Sequence, residues 1–254
     1  MLAKLTKYLF LSLLLGSLFS CQSTRYVPEG DYLISKFPKY EGNLALDDYS
    51  LDDVVRTQPN QNLLGRPFYL YAYNFGRRLK RDSVDKGFQA WLSQRLMTEV
   101  GEPPQILDTN ILIQDRINLR NAYFAEGYFY PKISYEIQSG GRKDSNNKIG
   151  VVFSIDEGTA YRYRNVIFDW IDPGDSTFIE AYDVRKSVLK QGQNYSHKNM
   201  ALERARATNA LRNAGYFTFS PTMIDFEVDT LLGDTPGVMA QDTQRVKWIN
   251  LYVH

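Results

Sequence analysis

The sequence contains one cysteine, two histidines and almost no net charge, and each scarcity removes a class of function. The single cysteine, Cys21, allows neither an intramolecular disulfide nor a zinc site built from thiolates. Two histidines, His197 and His254, are too few for a histidine-rich zinc cage and make a histidine-based catalytic triad hard to build. A net charge of +1 provides no overall field that would attract nucleic acid. We therefore expect no catalytic residues, no metal, no cofactor and no nucleic-acid partner.

Long apolar runs are also missing, apart from a short one at the N-terminus. Lys4 and Lys7 precede an uncharged stretch over residues 8–19. This stretch of about 12 residues is too short for a membrane-spanning helix, which needs about 20. A basic start, a short apolar core and small residues before a cleavage point are typical of a secretory signal peptide. We therefore expect residues 1–20 to be removed on export.

Cys21 stands directly after this segment, at the end of Leu18-Phe-Ser-Cys21. The Leu-x-x-Cys ending resembles a lipobox, in which the cysteine thiol is acylated and the cysteine becomes the new N-terminus. The resemblance implies an N-acyl diacylglycerol modification of Cys21 and a polar lipidated tether over residues 21–30. Residues 22–25 contain no acid, and we expect an anchor on the periplasmic side of the outer membrane. A signal peptide without lipidation, followed by a cysteine by chance, is the alternative.

The strongest structural signal is an internal repeat in the second half of the sequence. The segment 116–129 matches the segment 204–217 at an offset of 88 residues, with Arg, Asn, Ala, Gly, Tyr and Phe recurring. In each copy, an apolar stripe with helical spacing ends at a glycine, Gly127 or Gly215. An extended pattern, a polar loop and another strand pattern follow. Duplicated small units of this kind predict an α+β fold.

The patterns over residues 159–254 predict the order strand, helix, helix, strand, strand. The predicted strands cover residues 161–169, 223–228 and 246–253, and the predicted helices run from Ser176 to near Gly192 and from Ser196 onward. Residues 31–158 show the same order, beginning with a strand over 31–40, when residues of about 60–107 are an insertion between the two helices. Each unit then buries one face of its sheet under two helices.

Several short motifs lie where the predicted helices end and the strands begin. They are Glu126-Gly-Tyr-Phe129, Asn213-Ala-Gly-Tyr-Phe217, Leu189-Lys-Gln-Gly192, Asp156-Glu-Gly158 and Tyr161-Arg-Tyr-Arg164. These motifs resemble the POTRA domain, which precedes the barrel in the BamA/TamA family of outer-membrane assembly and translocation proteins. Val27-Pro-Glu-Gly30 and Gly101-Glu-Pro-Pro104 further resemble its lipid-anchored, TamL-like subgroup. Members carry a C-terminal β-barrel, and since this sequence stops at His254 we expect it to hold the POTRA region without the barrel.

The resemblance implies a fold and a mode of binding. Each unit is implied to be a three-stranded mixed sheet under two helices, and its exposed edge strand to bind an extended segment by β-augmentation. The implied edge residues are Lys132, Ile133, Ser134, Tyr135, Glu136 and Ile137 in one unit, and Met223, Ile224, Asp225, Phe226, Glu227 and Val228 in the other. The implied partners are unfolded outer-membrane client proteins or a TamB-like partner, and outer-membrane lipid through the anchor.

The recurring Gly-Tyr-Phe triplets are predicted to be structural. They consist of Gly127, Tyr128 and Phe129 in the first copy and of Gly215, Tyr216 and Phe217 in the second. Each glycine allows the left-handed turn that ends a helix, and the aromatic rings are predicted to cover the core.

Two other functions are weighed against strand binding. An envelope lipoprotein hydrolase acting through two carboxylates is formally open, but the sequence contains no Gly-x-Ser-x-Gly elbow and no histidine-rich metal motif. A purely structural spacer that sets a fixed distance from the membrane is the third option. Duplicated units without a duplicated acid–base pattern favour binding over chemistry.

Overall fold

The computed structural model describes residues 23–82, 87–139, 147–169, 176–230 and 247–254. The predicted signal peptide and Cys21 lie outside these residues, so their roles stay predictions. Within the described ranges, no helix is both long and apolar enough to cross a membrane.

The element order mixes strands and helices, as the sequence predicts. The strands are β1 (Leu33–Ile34), β2 (Lys39–Glu41), β3 (Lys132–Ser139), β4 (Lys148–Asp156), β5 (Tyr161–Phe168), β6 (Phe226–Asp229) and β7 (Lys247–Val253). The α-helices are α1 (Asp48–Asp52), α2 (Phe68–Asp82), α3 (Phe88–Arg95), α4 (Thr109–Ala125), α5 (Ser176–Tyr182) and α6 (His197–Asn213). A π-helical turn covers Leu96–Val100, and 3₁₀ turns cover Val184–Lys186 and Pro221–Met223. The predicted α+β class is confirmed.

The chain forms two compact units. The first contains the described parts of Met1–Glu41, Val55–Asp115 and Tyr135–Phe153, and the second those of Gly42–Val54, Arg116–Ser134 and Ser154–His254. The domain boundary that the repeat predicts after residue 158 stays a prediction.

The second unit contains a three-stranded mixed sheet in the order β5-β7-β6. Strand β7 pairs in parallel with β5 and antiparallel with β6. Ile249, Leu251 and Val253 of β7 point into the core, where they are almost completely buried. The apolar stripe of α6, with Met200, Ala207 and Leu211, contributes to the same core. The inward-facing residues of β7 and the apolar face of α6 therefore pack together in one apolar layer.

The first sheet has four strands, because the first predicted strand is divided in two. Strands β1 and β2 both pair with β4, as does β3. Leu33 and Ile34 of β1 lie parallel to the start of β4. Pro38 stands between β1 and β2, and since proline has no N–H to donate, it interrupts a strand that the sequence predicts as continuous over residues 31–40.

The segment predicted as an insertion contains a closely packed helix pair, α2 and α3, and the π-helical turn. The Ser93 hydroxyl donates a hydrogen bond to the carbonyl of Gly76 at 2.7 Å. A Cβ on Gly76 would lie only 2.9 Å from the Cβ of Leu96, so only glycine allows this approach of the helices. Beside this crossing, the Arg77 guanidinium lies 4.7 Å from the ring centroid of Tyr26, which belongs to the predicted tether.

Helix α5 ends about ten residues earlier than the sequence predicts. Asp183 has a left-handed φ of 45° directly after Tyr182, and a 3₁₀ turn follows. The Asp183 carboxylate accepts a hydrogen bond from Arg185 at 2.9 Å and lies 3.3 Å from Lys186. Hydrogen bonding to Arg185 is the main reason that the pKa of Asp183 falls to about 2. A local ionic turn therefore replaces the continuation of the helix toward Gly192.

Candidate functional site

Strand β6 forms one margin of the second sheet. Just before it, Asp225 and His254 exchange both backbone hydrogen bonds, each with an N to O distance of 2.9 Å. Hydrogen-bonded and non-hydrogen-bonded pairs alternate along an antiparallel ladder. Phe226 and Val228 therefore occupy non-hydrogen-bonded pairs, and their N–H and C=O groups point away from β7. At this margin, two residues therefore present a backbone N–H donor and a backbone C=O acceptor that face outward.

This margin is open over a defined length. In the part of the chain that the structure describes, no hydrogen bond reaches the outward groups of Phe226 and Val228. On the N-terminal side, Arg204 closes the margin, because its Nε donates to the carbonyl of Ile224 at 2.9 Å. The same guanidinium lies 4.9 Å from the ring centroid of Phe226. The open edge thus begins at Phe226.

The two faces of β6 differ in chemistry. The side chains of Phe226 and Val228 pack against the apolar core of the second unit. Glu227 is exposed on the opposite face, with Oε2 at 3.3 Å from Nε2 of His254. A strand added beside β6 would therefore extend an apolar face on one side and a polar face on the other. The charge at Glu227 also discourages uncontrolled pairing of exposed edges.

The structure corrects the bounds of the predicted edge strand Met223–Val228. Met223 belongs to a 3₁₀ turn, which Ser220 caps with its side chain and in which Pro221 stands at the first position. Ile224 is 1% exposed and is part of the core. Asp225 precedes β6. The turn formed by Ser220 and Pro221 outweighs the extended pattern of the sequence here. Met223, Ile224 and Asp225 therefore do not belong to the open edge strand.

Strand β3 contains the other predicted edge residues, Lys132–Ile137. Lys132 Nζ lies 3.8 Å from Asp156 Oδ2. Farther along, the rings of Tyr135 and Phe153 are 6.4 Å apart between centroids. Residues later in β3 thus lie beside residues earlier in β4, so the two strands run antiparallel. Among the described strands, β4 is the partner of β3.

The side chains of β3 alternate with the pleat. Ile133 and Tyr135 are half-buried, whereas Lys132, Ser134 and Glu136 are exposed. Ile137 is also exposed, which ends the alternation. No backbone hydrogen bond from elsewhere in the described ranges reaches this strand. The structure thus places β3, like β6, at the margin of a sheet.

The two Gly-Tyr-Phe triplets end α4 and α6 with the same backbone turn. Gly127 and Gly215 have φ values of 90° and 105°, in the left-handed region that the repeat predicts. The N–H of Tyr128 donates to the carbonyl of Tyr123 at 3.0 Å, and the N–H of Tyr216 makes the equivalent bond at 3.0 Å. These bonds close the last turn of each helix in the same way.

The phenylalanines of the triplets have opposite environments. Phe129 is 8% exposed, with its ring centroid 4.6 Å from that of Tyr161 and 4.9 Å from that of Tyr195. Phe217 is 79% exposed. The prediction that both rings cover the core is therefore wrong for Phe217. Its N–H bonds back to Gly215 and turns the chain, so Phe219 packs on the core instead.

Alanine substitution of the two glycines should separate conformational strain from contact. At Gly215 an added Cβ meets nothing within 4 Å, so Gly215→Ala should cost about 1–2 kcal/mol from the left-handed backbone alone. At Gly127 the Cβ would lie 3.0 Å from the carbonyl oxygen of Tyr195, and we expect about 1–3 kcal/mol more from overpacking. Urea unfolding of both variants measures the difference. Equal losses would contradict the close contact at Gly127.

Comparison with known families identifies part of this architecture. Residues 38–158 match the family model described as POTRA, surface antigen variable number repeat. This part of the chain is therefore similar to a POTRA domain. The matched segment includes the edge strand β3 and the first Gly-Tyr-Phe exit. A search of curated proteins finds no match.

Solved structures of POTRA domains are similar at low identity. POTRA domains 3–5 of Haemophilus influenzae BamA match at 12% identity and a TM-score of 0.31, covering 90% of this chain and 98% of that chain. POTRA domains 1–2 from the periplasmic domain of Anabaena Omp85 match at 12% and 0.32, covering 89% and 96%. Haemophilus ducreyi BamA lacking POTRA domains 1–3 matches at 13% and 0.32, covering 60% and 24%. Because these TM-scores are low, the similarity to POTRA domains rests on the family match over residues 38–158.

Sequence reasoning misses two features that lie outside the Gly-Tyr-Phe triplets and the edge strands. The first is Arg204, which closes one end of the β6 margin. The recurrence of arginine at positions 116 and 204 was the available signal. The second is Glu203, a fully buried carboxylate on α6. Nothing in the helical pattern distinguishes it from an exposed acid, because two of its partners, Tyr182 and Val188, lie outside α6.

Glu203 joins α5 to α6 through a buried polar cluster. Its carboxylate accepts hydrogen bonds from Arg206 at 2.6 Å, from the hydroxyl of Tyr182 and from the N–H of Val188 at 2.8 Å. Arg206 also donates to the carbonyl of Tyr182 at 2.7 Å. These hydrogen bonds supply the buried carboxylate with donors. They also hold together α5 and α6, the two helices that cover the sheet containing β6.

Proposed function

We propose that this protein is a periplasmic interaction module that binds extended segments of other proteins by strand addition at β3 and β6. The observation that carries the proposal is the β6 margin, where the N–H and C=O groups of Phe226 and Val228 point outward without a partner in the described chain. Bonds to these groups are main-chain bonds, so one edge accepts many sequences. The role is one of binding and assigns no catalytic step to this chain.

The proposed clients are unfolded outer-membrane proteins, and the alternative partner is a TamB-like protein. Strands of outer-membrane barrels alternate between apolar and polar side chains. An added strand of this kind would continue the apolar face of Phe226 and Val228 and the polar face of Glu227. The alternation thus supports outer-membrane strands over uniformly polar segments as ligands.

The proposed location is the periplasmic side of the outer membrane, with the chain anchored as a TamL-like lipoprotein. Support comes from the lipobox-like ending at Cys21 and from the absence of acid over residues 22–25. The similarity of residues 38–158 to POTRA domains supports the same compartment by analogy. An acyl anchor would hold the two edges near the membrane into which clients are delivered.

Removing one outward N–H should weaken client binding without breaking the sheet. Proline at Val228 removes an N–H that faces away from β7, a position where edge strands tolerate proline. A client carbonyl left unpaired costs about 1–3 kcal/mol, so Val228→Pro should lower crosslinking to a urea-unfolded outer-membrane β-barrel protein by about tenfold. A photoreactive residue at the exposed position Glu227 reports the contact.

Val228→Ala is the matched control, because it shortens the same side chain and keeps the N–H. It should crosslink as efficiently as the unmodified edge, and circular dichroism should show the same fold for both variants. Equal crosslinking by Val228→Pro and Val228→Ala would contradict strand addition at β6.

A further inference from the structure

A tight turn in the first unit has a leucine where the backbone disfavours one. Leu63 and Arg66 exchange both backbone hydrogen bonds, at 2.8 and 3.1 Å, and enclose Leu64 and Gly65. The φ values of Leu64 and Gly65 are 53° and 75°. Positive φ at both central positions is typical of a type I′ turn, which favours asparagine before glycine. A leucine with a left-handed φ is strained, so Leu64 destabilises the turn to which it belongs.

The side chain of Leu64 makes no packing contribution that would offset this strain. It is 97% exposed, the largest exposed fraction of any large apolar side chain among the described residues. Leu63 and Phe68, on either side of the turn, are exposed as well, and so is Arg66. The turn therefore projects an apolar tip, with a cation beside it, into the solvent. Strain that the fold does not require indicates a function at this tip.

The base of the turn is fixed by polar contacts. Asn60 is buried, and its Nδ2 donates a hydrogen bond to the carbonyl of Pro103 at 2.7 Å. The N–H of Gln61 donates to Oε2 of Glu102 at 2.8 Å. Both acceptors belong to the Gly-Glu-Pro-Pro segment of the sequence. The turn thus presents Leu64 from a base that is held in place on the first unit.

This turn lies beside the point at which the predicted tether meets the first unit. Ser23, which stands two residues after Cys21, is buried. It lines a cavity of about 150 Å³ together with Asn62 and Gly65. Since two extended residues span at most about 7 Å, an acyl group on Cys21 would enter a membrane close to the tip of the turn.

Several cations lie in the same region. The guanidinium carbons of Arg25 and Arg77 are 5.9 and 4.7 Å from the ring centroid of Tyr26. Lys148 lines the same cavity, and Arg66 closes the turn. Arginine and lysine near a membrane surface are attracted to anionic phospholipid headgroups. An apolar tip with cations around it therefore suits such a surface better than it suits an acidic or uniformly polar one.

We propose that the turn formed by Leu63, Leu64, Gly65 and Arg66 is a second membrane contact, which inserts Leu64 into the anionic phospholipid surface that receives the acyl anchor. This inference rests on the proposed anchoring at Cys21. The leucine enters the boundary between headgroups and acyl chains, while Arg66 stays beside the phosphate groups. An acyl chain alone leaves the body free to rotate about its attachment. A second contact on a fixed base sets the orientation of the first unit on the membrane.

The test uses the single cysteine to attach one tetradecyl chain to Cys21 of the full mature chain through a maleimide. One acyl chain of this length gives weak, reversible membrane binding, so a second contact changes the binding measurably. The probe consists of vesicles of phosphatidylethanolamine and phosphatidylglycerol. We expect Leu64→Asn to lower the vesicle partition coefficient by about tenfold, because it removes one inserted leucine side chain.

The same variant separates binding from folding. Asparagine is favoured at this position of a type I′ turn, so Leu64→Asn should unfold at a higher urea concentration than the unmodified chain while binding vesicles more weakly. Leu44→Asn is the matched control, because Leu44 is 92% exposed and does not line the cavity beside Ser23. Its partition coefficient should stay within about twofold of the unmodified value, the scatter expected when no contact is lost.

Three results of the vesicle test would overturn the proposal. They are equal partition of Leu64→Asn and the unmodified chain, an equal loss in Leu44→Asn, and self-association without vesicles that Leu64→Asn abolishes. The third result indicates that a second copy of this chain covers the tip. Mass spectrometry of the chain from cell envelopes tests the anchor separately. An unmodified Cys21 would overturn the anchoring and this inference with it, and is distinguishable from the failure of the turn alone.

Discussion

Phe129→Ala should lower the free energy of unfolding by about 3–5 kcal/mol, the usual cost of truncating a buried phenylalanine. Phe129 packs against Tyr161 and Tyr195, so its loss leaves a cavity between aromatic rings that the surrounding backbone cannot easily close. Guanidinium unfolding monitored by far-ultraviolet circular dichroism measures the change. The transition midpoint should fall while the slope stays constant, because the surface exposed on unfolding is almost unchanged.

Phe217→Ala provides the internal control at the matched repeat position. Because this ring is mostly exposed, its loss should change the free energy of unfolding by about 0.5 kcal/mol or less. The contrast tests whether the environments of the two triplets differ as the structure shows. Similar large losses at both positions would mean that Phe217 is buried in solution.

Glu203→Ala should cost about 3–5 kcal/mol, because it leaves buried hydrogen-bond donors without an acceptor. The hydroxyl of Tyr182, the N–H of Val188 and the guanidinium of Arg206 all donate to this carboxylate. Thermal and chemical unfolding measure the loss. Glu99→Ala is the control, since its ion pair with Arg95 is exposed and should contribute less than about 1 kcal/mol. A cost at Glu203 as small as at Glu99 would contradict a buried cluster.

The same cluster predicts a dependence of stability on pH. Burial alone would raise the pKa of Glu203, but hydrogen bonds from Arg206, Tyr182 and Val188 outweigh burial and lower it. A carboxylate whose pKa is lower in the folded state contributes stability above its unfolded pKa, here near 4.5. That stability is lost as the pH falls from this value through the folded pKa. Glu203→Gln should therefore lose less stability than the unmodified chain over this acidic range.

Local patterns predict much of this fold. Helical spacing locates α4 and α6, and the glycines at their ends have the left-handed φ that the repeat requires. Alternation locates β5 and β7, whose inward residues are buried. Both signals depend on neighbouring residues along the chain, and sequence periodicity records such relations directly.

Contacts between distant residues account for most of the differences. Phe129 and Phe217 occupy the same place in the repeat, and only the partners supplied by Tyr161 and Tyr195 bury one of them. The open edge at β6 likewise depends on how Arg204 reaches the carbonyl of Ile224. No pattern within one segment specifies such partners.

Turn chemistry explains the remaining differences. Pro38 divides the first strand, and Asp183 ends α5 through its bond with Arg185. The 3₁₀ turn that begins at Pro221 and is capped by Ser220 takes in Met223, the first residue of the predicted edge strand. Such residues commonly end helices and strands, but the apolar spacing of the sequence continues past Pro38, Asp183 and Pro221. The apolar pattern therefore predicts elements that are longer than those that form.

The central position of β7 sets the order in which the second sheet is completed. Its neighbours β5 and β6 both precede it along the chain, and each pairs with β7 in this sheet. During synthesis, β5 and β6 therefore emerge before the strand that joins them. Until residues 247–253 arrive, both are unpaired β-prone segments exposed to misassociation. This sheet therefore forms late, through contacts between residues that are far apart in the sequence. A chaperone that binds the nascent polypeptide until β7 is available would raise the yield of folded protein.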